Sequence, residues 1–246
     1  MGKGGGNMNI CMAHRGWSGK APENTMTAIR LALAEPAIQA MEIDVQLSRD
    51  GVPVLIHDFT LGRTTNGKGL VKDHTLQELR VLDAGSWLDE KFAGERIPTL
   101  DEVLRAVKGR CTLNIELKAT SDMYPGIAEK VLELLEQHDM KQEAYITSFD
   151  HELIRHVRQL DATVLTGLIV CGRPVLMMEQ LEASGSNILS MGYPYLTREL
   201  TVEAIERGYK VVAWTLDDPE HIRTVMSWHP DVQICTNHPD RMLEFV

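Results

Sequence analysis

Short apolar runs alternate with amphipathic segments along almost the whole sequence, and this alternation constrains the fold more than any other feature. A run that is apolar throughout is typical of a strand buried on both faces of a parallel sheet. The segments between the runs have helical periodicity, so each pair of runs predicts a β-α-β unit. Strands are predicted at residues 9–13, 40–45, 112–118, 144–148, 163–170, 187–191, 210–215 and 232–236. Together they predict a TIM-type (β/α)8 barrel, with a doubly wound open sheet as the alternative fold.

Capping residues mark the starts of several predicted helices. Asn24 precedes a helical segment that it can cap, and Asp150 precedes another. Thr99, followed three residues later by Glu102, has the pattern of a capping box. Pro174 suits the first turn of a later helix, because a proline there removes no helical hydrogen bond.

The second predicted strand is followed by a tight turn instead of a helix. Asp50-Gly51 lies between two apolar runs, and this dipeptide favours a β-hairpin. So short a connection requires the two runs to pair antiparallel. With the turn centred near residues 49 and 50, His57 is expected opposite Asp44, within one residue. The hairpin therefore returns His57 to the place where Glu42 and Asp44 lie, as an excursion from the second barrel strand.

Residues 59–98 form a connection too long for an ordinary loop of this fold. We expect a small inserted subdomain over the mouth of the barrel, after the hairpin of the second strand; a surface loop without a role is the alternative. The Gly-rich residues 1–8 are expected to be a flexible tail, so that the barrel domain covers residues 9–246.

Composition excludes several functions. The formal net charge of −10 argues against a groove for nucleic acid, which needs clustered Lys and Arg. No run approaches the ~18 apolar residues of a membrane-spanning helix, so no stable membrane insertion is expected. The four cysteines are far apart and lie in or beside apolar runs, which predicts buried free thiols and a cytoplasmic location. No sequence feature specifies an oligomeric state.

Three acidic residues lie on the predicted second and third strands. Glu42 and Asp44 share one face of their strand, because side chains alternate, and the apolar Ile43 faces the helices. Glu116 is placed in the same way beside the apolar Leu117. Carboxylates inside a barrel are costly unless they are paired or surround a cation. Oxygen ligands alone suit Mg²⁺ or Ca²⁺ better than Zn²⁺, and separate salt bridges are the alternative interpretation.

Two histidines and two positively charged side chains are expected at the same rim of the barrel. His14 and Arg15 follow the first strand, His57 follows the hairpin, and Lys118 ends the third strand. One neutral and one protonated imidazole can serve as base and acid near pH 7. Fixed positive charge from Arg15 and Lys118 complements a phosphate. The combination predicts a site that cleaves an anionic phosphoester.

An ordered series of motifs resembles the glycerophosphodiester phosphodiesterase family. The series begins with Ala13-His14-Arg15-Gly16, Pro22-Glu23-Asn24-Thr25, Glu42-Ile43-Asp44-Val45, Asp50-Gly51 and His57-Asp58. It continues with Arg63-Thr64-Thr65-Asn66-Gly67-Lys68-Gly69, Ile97-Pro98-Thr99-Leu100, Ile115-Glu116-Leu117-Lys118, Ser148-Phe149 and Trp214-Thr215. The closing Thr236-Asn237 departs from the family, which usually has Thr-Asp there, and this affects a capping or supporting contact rather than the chemistry.

The resemblance implies a TIM-type barrel that hydrolyses small-molecule glycerophosphodiesters to sn-glycerol 3-phosphate and an alcohol. The implied site residues are a divalent ion on Glu42, Asp44 and Glu116, catalytic His14 and His57, and phosphate contacts from Arg15 and Lys118. By analogy, His14 is assigned as the base and His57 as the acid. Trp214 is similar to the family's aromatic wall beside the glycerol, with a core tryptophan as the alternative. The competing functions are a phospholipase-like phosphodiesterase acting on lysophospholipids and a non-catalytic glycerophosphate-binding barrel.

Overall fold

A computed structural model describes residues 9–245 of the chain. Its strands form one sheet: β1 (Cys11–His14), β2 (Ala40–Leu47), β3 (Pro53–Leu55), β4 (Thr112–Leu117), β5 (Ala144–Ser148), β6 (Leu165–Val170), β7 (Ile188–Gly192), β8 (Lys210–Trp214) and β9 (Gln233–Thr236). All strands except β3 pair in parallel, and β1 pairs with both β2 and β9. The parallel strands therefore close into a ring, so the (β/α)8 barrel is confirmed and the open sheet is wrong.

The helices pack around this ring, apart from the short one within residues 59–98. They are α1 (Met26–Leu33), α2 (Leu76–Arg80), α3 (Leu100–Val107), α4 (Ile127–Gln137), α5 (His151–Leu160), α6 (Met177–Ser184), α7 (Arg198–Glu206), α8 (Pro219–Met226) and α9 (Pro239–Leu243). The largest buried cluster fills the space between strands and helices and includes Ile43 and Leu117. Both residues therefore face the helices, as the alternation of side chains predicted.

Two of the predicted helix starts have the expected caps. The hydroxyl of Thr99 accepts from the Glu102 backbone N–H while the Glu102 carboxylate accepts from the Thr99 N–H, which makes the capping box of α3. The carboxylate of Asp150 caps α5 by accepting from the backbone N–H of Leu153. These caps satisfy backbone groups that the first turn of a helix leaves without partners.

Two other predictions about helix starts are wrong. Asn24 does not cap α1; the hydroxyl of Thr25 does, by accepting from the Ala28 N–H. Asn24 has a φ of 57° and its side-chain amide bonds to Asp44, so tertiary contacts decide its conformation. Pro174 lies before α6, which begins only at Met177, and is therefore not in the first turn.

The β2–β3 hairpin brings the chain back antiparallel to the end of β2. Val45 pairs with Leu55, and the Ile56 N–H donates to the Asp44 carbonyl at 3.2 Å. His57 therefore comes one residue beyond the position opposite Asp44, within the predicted tolerance.

Residues 59–98 have little regular structure beyond α2 and two 3-10 turns. Their apolar side chains pack with the end of the hairpin in a small cluster separate from the main core. Its members are Val54, Ile56, Leu61, Val71, Leu79, Ala84 and Ile97. The division of the chain into a tail and a barrel stays a prediction, and the expected tail, residues 1–8, lies outside the described residues.

Inside the barrel, the layer nearer the amino ends of the strands is apolar, and the layer nearer their carboxyl ends is polar. Met12, Tyr145, Ile188 and Val212 belong to the buried cluster inside the strands. The carboxylates on β2 and β4 lie further along their strands, towards the carboxyl ends. A site at that end is the expected place for chemistry in this architecture.

The cysteines are all free thiols. Cys11 and Cys235 are buried and Cys111 is half-buried. Cys171 is exposed, and the prediction that it is buried is wrong because it follows β6 in a loop instead of lying within the strand. Among residues 9–245, no helix combines the length and the apolar character that crossing a membrane requires.

Candidate active site

Three carboxylates from adjacent strands meet at the carboxyl end of the barrel. Asp44 on β2 lies directly opposite Glu116 on β4, and Glu42 is two residues earlier on the same face as Asp44. One oxygen from each of the three side chains lies within 4.8 Å of the others. All three side chains are buried, and Glu42 Oε1 and Asp44 Oδ1 have no hydrogen-bond partner.

Burial and mutual repulsion perturb these carboxylates. Burial, followed by the charge of Asp44, raises the pKa of Glu42 well above its usual range and that of Glu116 to about 7. Burial acts in the same direction on Asp44, but the charges of Arg15 and Lys118 outweigh it and lower the pKa of Asp44. Unpartnered buried oxygens that repel one another fit a hard divalent cation, which oxygen ligands suit.

Two cationic side chains flank the triad. Lys118 Nζ lies 2.8 Å from Glu116 Oε1 and 3.9 Å from Asp44 Oδ1. Arg15 Nε lies 3.1 Å from Asp44 Oδ2. Arg15 has a φ of 56°, a left-handed conformation that is unusual for a side chain of this size. This conformation accompanies a hydrogen bond from the Arg15 backbone N–H to Glu42 Oε2, at 3.0 Å.

His14 ends β1 and faces Glu42, with its Nε2 3.7 Å from Glu42 Oε2. Its Nδ1 lies 2.7 Å from Asn237 Oδ1. The orientation of the Asn237 amide follows from its other partner: its Nδ2 donates to Asp217 Oδ2, and a carboxylate can only accept. His14 Nδ1 must therefore carry the proton, which leaves Nε2 as the acceptor. Burial and the charge of Arg15 lower the pKa of His14 to about 4, so the ring is neutral at pH 7.

His57 approaches the triad from the hairpin. The Gln46 side chain, inside β2, donates from Nε2 to the backbone carbonyls of Ile56 and Asp58 at 2.8 Å, and to that of His57 at 3.1 Å. The His57 Nδ1 lies 2.6 Å from Asp58 Oδ1. Gln46 thus holds the backbone around His57, and Asp58 holds one nitrogen of its ring, while 31% of the His57 side chain stays exposed.

A cavity of about 100 Å³ opens between these groups. Its wall includes His14, His57, Arg15, Glu42, Glu116, Lys118 and Trp214, so seven of the eight predicted site residues line it. Asp44, the eighth, lies beside them through its ion pairs with Arg15 and Lys118. Trp214 packs edge-to-face against Phe149, with ring centroids 5.8 Å apart, and its buried Nε1 has no partner. The cavity therefore has a charged side and an aromatic side.

Several supporting residues were not assigned a role from the sequence. Gln46 shares strand parity with Glu42 and Asp44, and this signal was available in the β2 pattern. Asn237 was noted only as a departure from the family motif, yet it touches His14 directly. Its partner Asp217 lies 20 positions earlier in the sequence, after a different strand, and no local pattern connects the two.

Comparison with known proteins agrees with the fold and the motifs. Residues 14–241 match the model of the Glycerophosphoryl diester phosphodiesterase family. The chain is 39% identical over 241 residues to a glycerophosphodiester phosphodiesterase of Caldanaerobacter subterraneus subsp. tengcongensis, covering 96% of this chain and 97% of that protein. It is 37% identical to a glycerophosphodiester phosphodiesterase of Bacillus altitudinis, with coverage of 96% and 98%.

Solved structures give the same result. An Oleispira antarctica phosphodiesterase in complex with the product sn-glycerol-3-phosphate superposes with a TM-score of 0.89, at 32% identity and 96% coverage of both chains. A glycerophosphodiester phosphodiesterase from Agrobacterium tumefaciens gives 0.82 at 30% identity, covering 96% of this chain and all of that one. Motifs, fold and relatives agree over nearly the whole length, and the chain belongs to the glycerophosphoryl diester phosphodiesterase family.

Proposed function

We propose that the protein hydrolyses glycerophosphodiesters to sn-glycerol 3-phosphate and an alcohol, by acid–base catalysis with two histidines beside a divalent cation. Family membership supports the substrate class. The structural neighbour from Oleispira antarctica, which holds sn-glycerol-3-phosphate as product, supports the nature of the product. Free thiols at Cys11 and Cys235 are consistent with a reducing, cytoplasmic location.

The observation that carries this proposal is a convergence of groups around one cavity. His14 and His57 are 43 positions apart in the sequence, yet both line the cavity that Glu42 and Glu116 also line. A phosphodiester bound there contacts the cationic side chains, the acceptor nitrogen of His14 and the imidazole of His57 at the same time. Holding the reacting groups together in this way lowers the entropic barrier to reaction.

Binding of the phosphate is assigned to Arg15 and Lys118, whose charges face the cavity. Glu42, Asp44 and Glu116 would hold the divalent cation, with Mg²⁺ and Ca²⁺ as the two candidates because every ligand is an oxygen. When bound, such a cation acts as a Lewis acid that offsets the negative charge on the phosphoryl oxygens.

The two histidines have different surroundings, and these support different roles. His14 is neutral, has its proton on Nδ1, and directs a free Nε2 towards the site, as a general base requires. His57 is more exposed, and its Nδ1 lies 2.6 Å from the Asp58 carboxylate, which holds the ring in place for proton transfer through Nε2, as a general acid requires. His14 therefore removes the proton from the attacking hydroxyl, and His57 protonates the departing alcohol.

Two nucleophiles are compatible with these roles. The glycerol hydroxyl next to the phosphoester can attack the phosphorus and form a five-membered cyclic phosphate, which water then opens. An external water is the alternative. The internal route benefits from a nucleophile that is already attached to the substrate. A diester that lacks the vicinal hydroxyl distinguishes the two, because turnover of it at the full rate is incompatible with internal attack.

Substitution of each histidine tests the assignment. His14→Ala and His57→Ala are each expected to lower kcat on glycerophosphoethanolamine by ~10²–10⁴, the usual contribution of general acid–base catalysis. His156→Ala, on the exposed face of α5, is the matched control and is expected to leave kcat unchanged. Near-normal activity of either site variant, with the control also active, contradicts the two-histidine mechanism.

The leaving alcohol is tested with a panel of substrates. Trp214 and Phe149 give the cavity an aromatic side, which we assign to contact with the glycerol and the alcohol. Rates on glycerophosphocholine, glycerophosphoethanolamine, glycerophosphoglycerol and a lysophospholipid, each with Mg²⁺ and with Ca²⁺, determine the preference. Faster turnover of the lysophospholipid than of all deacylated substrates supports the phospholipase-like alternative instead.

A further inference from the structure

Arg63, in the segment 59–98, bonds to two carboxylates at once. Its Nη1 and Nη2 donate to Glu23 Oε2 and Oε1, at 2.9 and 2.7 Å. Its Nε and Nη2 donate to Asp58 Oδ2 and Oδ1, at 2.8 and 2.9 Å. Both carboxylates are therefore held by two hydrogen bonds each, the arrangement that fixes the plane of a carboxylate best.

Each of these carboxylates also holds a residue of the active site. Glu23 Oε1 accepts from Arg15 Nη1 at 2.9 Å, and Asp58 Oδ1 lies 2.6 Å from His57 Nδ1. A continuous chain of contacts thus runs from His57 through Asp58, Arg63 and Glu23 to Arg15. Its two ends are the proposed acid and one of the proposed phosphate contacts.

The ionisation of Asp58 and Glu23 depends on Arg63. The hydrogen bonds from Arg63 are the largest influence on Asp58 and lower its pKa, so that carboxylate stays ionised. Burial of Glu23 acts against ionisation, but the bonds to Arg63 and the charge of Arg15 lower its pKa as well. Only 12% of the Glu23 side chain is exposed, and its ion pairs among residues 9–245 are with Arg63 and Arg15, so loss of Arg63 leaves it with Arg15 alone.

We propose that Arg63 is a positioning residue that sets the orientations of His57 and Arg15 together, so that the inserted segment places the acid and the phosphate contact as one unit. This inference rests on the proposed function. Lysine is a poor substitute at such a position, because its ammonium group lacks the planar fork that binds two carboxylates. The alternative is that Arg63 only fastens the segment to the barrel.

Arg80 supplies the matched control. It lies in the same segment and makes the same kind of two-bond contact, to Glu102 of α3, at 2.6 and 2.9 Å. Arg80 also fastens the segment to the barrel, but its contacts within residues 9–245 are with Glu102 and the Ile97 carbonyl, and neither is a site residue. A purely structural role for Arg63 therefore predicts that Arg63→Gln and Arg80→Gln behave alike.

The test compares Arg63→Lys, Arg63→Gln and Arg80→Gln with the unaltered enzyme on glycerophosphoethanolamine. We expect both Arg63 variants to lose about 10- to 100-fold in kcat and to raise KM, because misplaced reacting groups cost about this much. Arg80→Gln is expected to keep kcat within about twofold. Thermal unfolding is measured in parallel, and Arg63→Lys serves if Arg63→Gln does not fold.

A second readout separates positioning from fastening. The 4-nitrophenyl diester of glycerol phosphate has a leaving group that departs without protonation, so a misplaced acid matters less for it. We expect the kcat deficit of the Arg63 variants to shrink by about fivefold or more on this substrate. Wild-type kcat and KM in both Arg63 variants, or a deficit equal to that of Arg80→Gln on both substrates, overturns the inference. Absence of turnover by the unaltered enzyme instead overturns the proposed function.

Discussion

The pair formed by Asn237 and Asp217 gives a sharp test of how His14 is prepared for its proposed role as base. Asn237 accepts from His14 and from the Ser18 hydroxyl, each at 2.7 Å, and donates to Asp217. Asn237→Ala removes the acceptor of the His14 Nδ1 proton, and the ring loses the bond that selects its tautomer. The backbone N–H of residue 237 still reaches Asp217, so the loop keeps one of its anchors.

The size of the effect follows from these contacts. A buried donor that loses its partner costs about 1–3 kcal/mol. If this cost falls on the reactive state, it corresponds to a loss of about 5- to 160-fold in kcat. KM is expected to change little, because Asn237 is not among the side chains that line the cavity.

A charge swap makes the same test reversible. Asn237→Asp places a carboxylate oxygen where the amide nitrogen now lies, 2.7 Å from Asp217 Oδ2. The two carboxylates then repel each other. Repulsion between two like unit charges whose centres are about 4 Å apart is about 4 kcal/mol at an effective dielectric constant of about 20, and water around the half-buried pair reduces this figure. Asn237→Asp combined with Asp217→Asn restores a donor–acceptor pair, so stability and kcat are expected to recover.

The assay is kcat and KM on glycerophosphoethanolamine between pH 4 and 9, with urea unfolding of each variant. In the double variant a carboxylate faces His14 and raises its pKa, so the acid limb of the rate profile is expected to move to higher pH. An Asn237→Ala enzyme with kcat within about twofold of the unaltered enzyme refutes the positioning of His14. A single Asn237→Asp variant as stable as the double variant refutes the assignment of the amide orientation.

Three further predictions concern the cation, the aromatic wall and the fold. Affinity for Mg²⁺ is expected to rise as the pH increases through about 7, the pKa of Glu116, because Glu116 and Glu42, whose pKa is also raised, must lose their protons to bind the ion. Calorimetry in two buffers counts the protons released, and a pH-independent affinity contradicts this prediction. Trp214→Ala is expected to raise KM by about 2- to 12-fold without altering the fold, and an unchanged KM argues for a purely structural tryptophan. Thr99→Ala is expected to lower the free energy of unfolding by about 0.5–2 kcal/mol in urea, with kcat unchanged, and no loss of stability contradicts the capping role.

The sequence predicted the parts of the site that depend on strand parity and turn length. Side-chain alternation placed Glu42, Asp44 and Glu116 on the inner face, and their register across β2 and β4 brought them together. The Asp50-Gly51 turn fixed the hairpin and so the return of His57. Side-chain alternation and turn length are local features, and spacing along the chain controls them. The register between β2 and β4 is not local and depends on the fold.

The contacts that orient the proposed catalytic groups were not predictable in the same way. His14 and Asn237 are 223 positions apart and meet because β9 closes the barrel against β1. Asn24 is of a residue type that favours helix N-caps, but its φ of 57° and its bonds to Asp44 arise from packing against β2. The partners of a polar side chain depend on which strands become neighbours, and spacing along the chain does not specify that.

The proposed function depends most on the claim that three buried carboxylates hold one divalent cation next to the two histidines. An electron paramagnetic resonance titration with Mn²⁺ tests it directly, comparing the unaltered protein with Asp44→Asn and with Asp139→Asn, whose carboxylate is exposed on the surface. We predict one Mn²⁺ bound per chain in the unaltered protein and in Asp139→Asn, and at least a tenfold weaker affinity in Asp44→Asn, on the order of the loss expected for one ligand. Equal Mn²⁺ affinity in all three proteins, or no binding to the unaltered one, contradicts the claim.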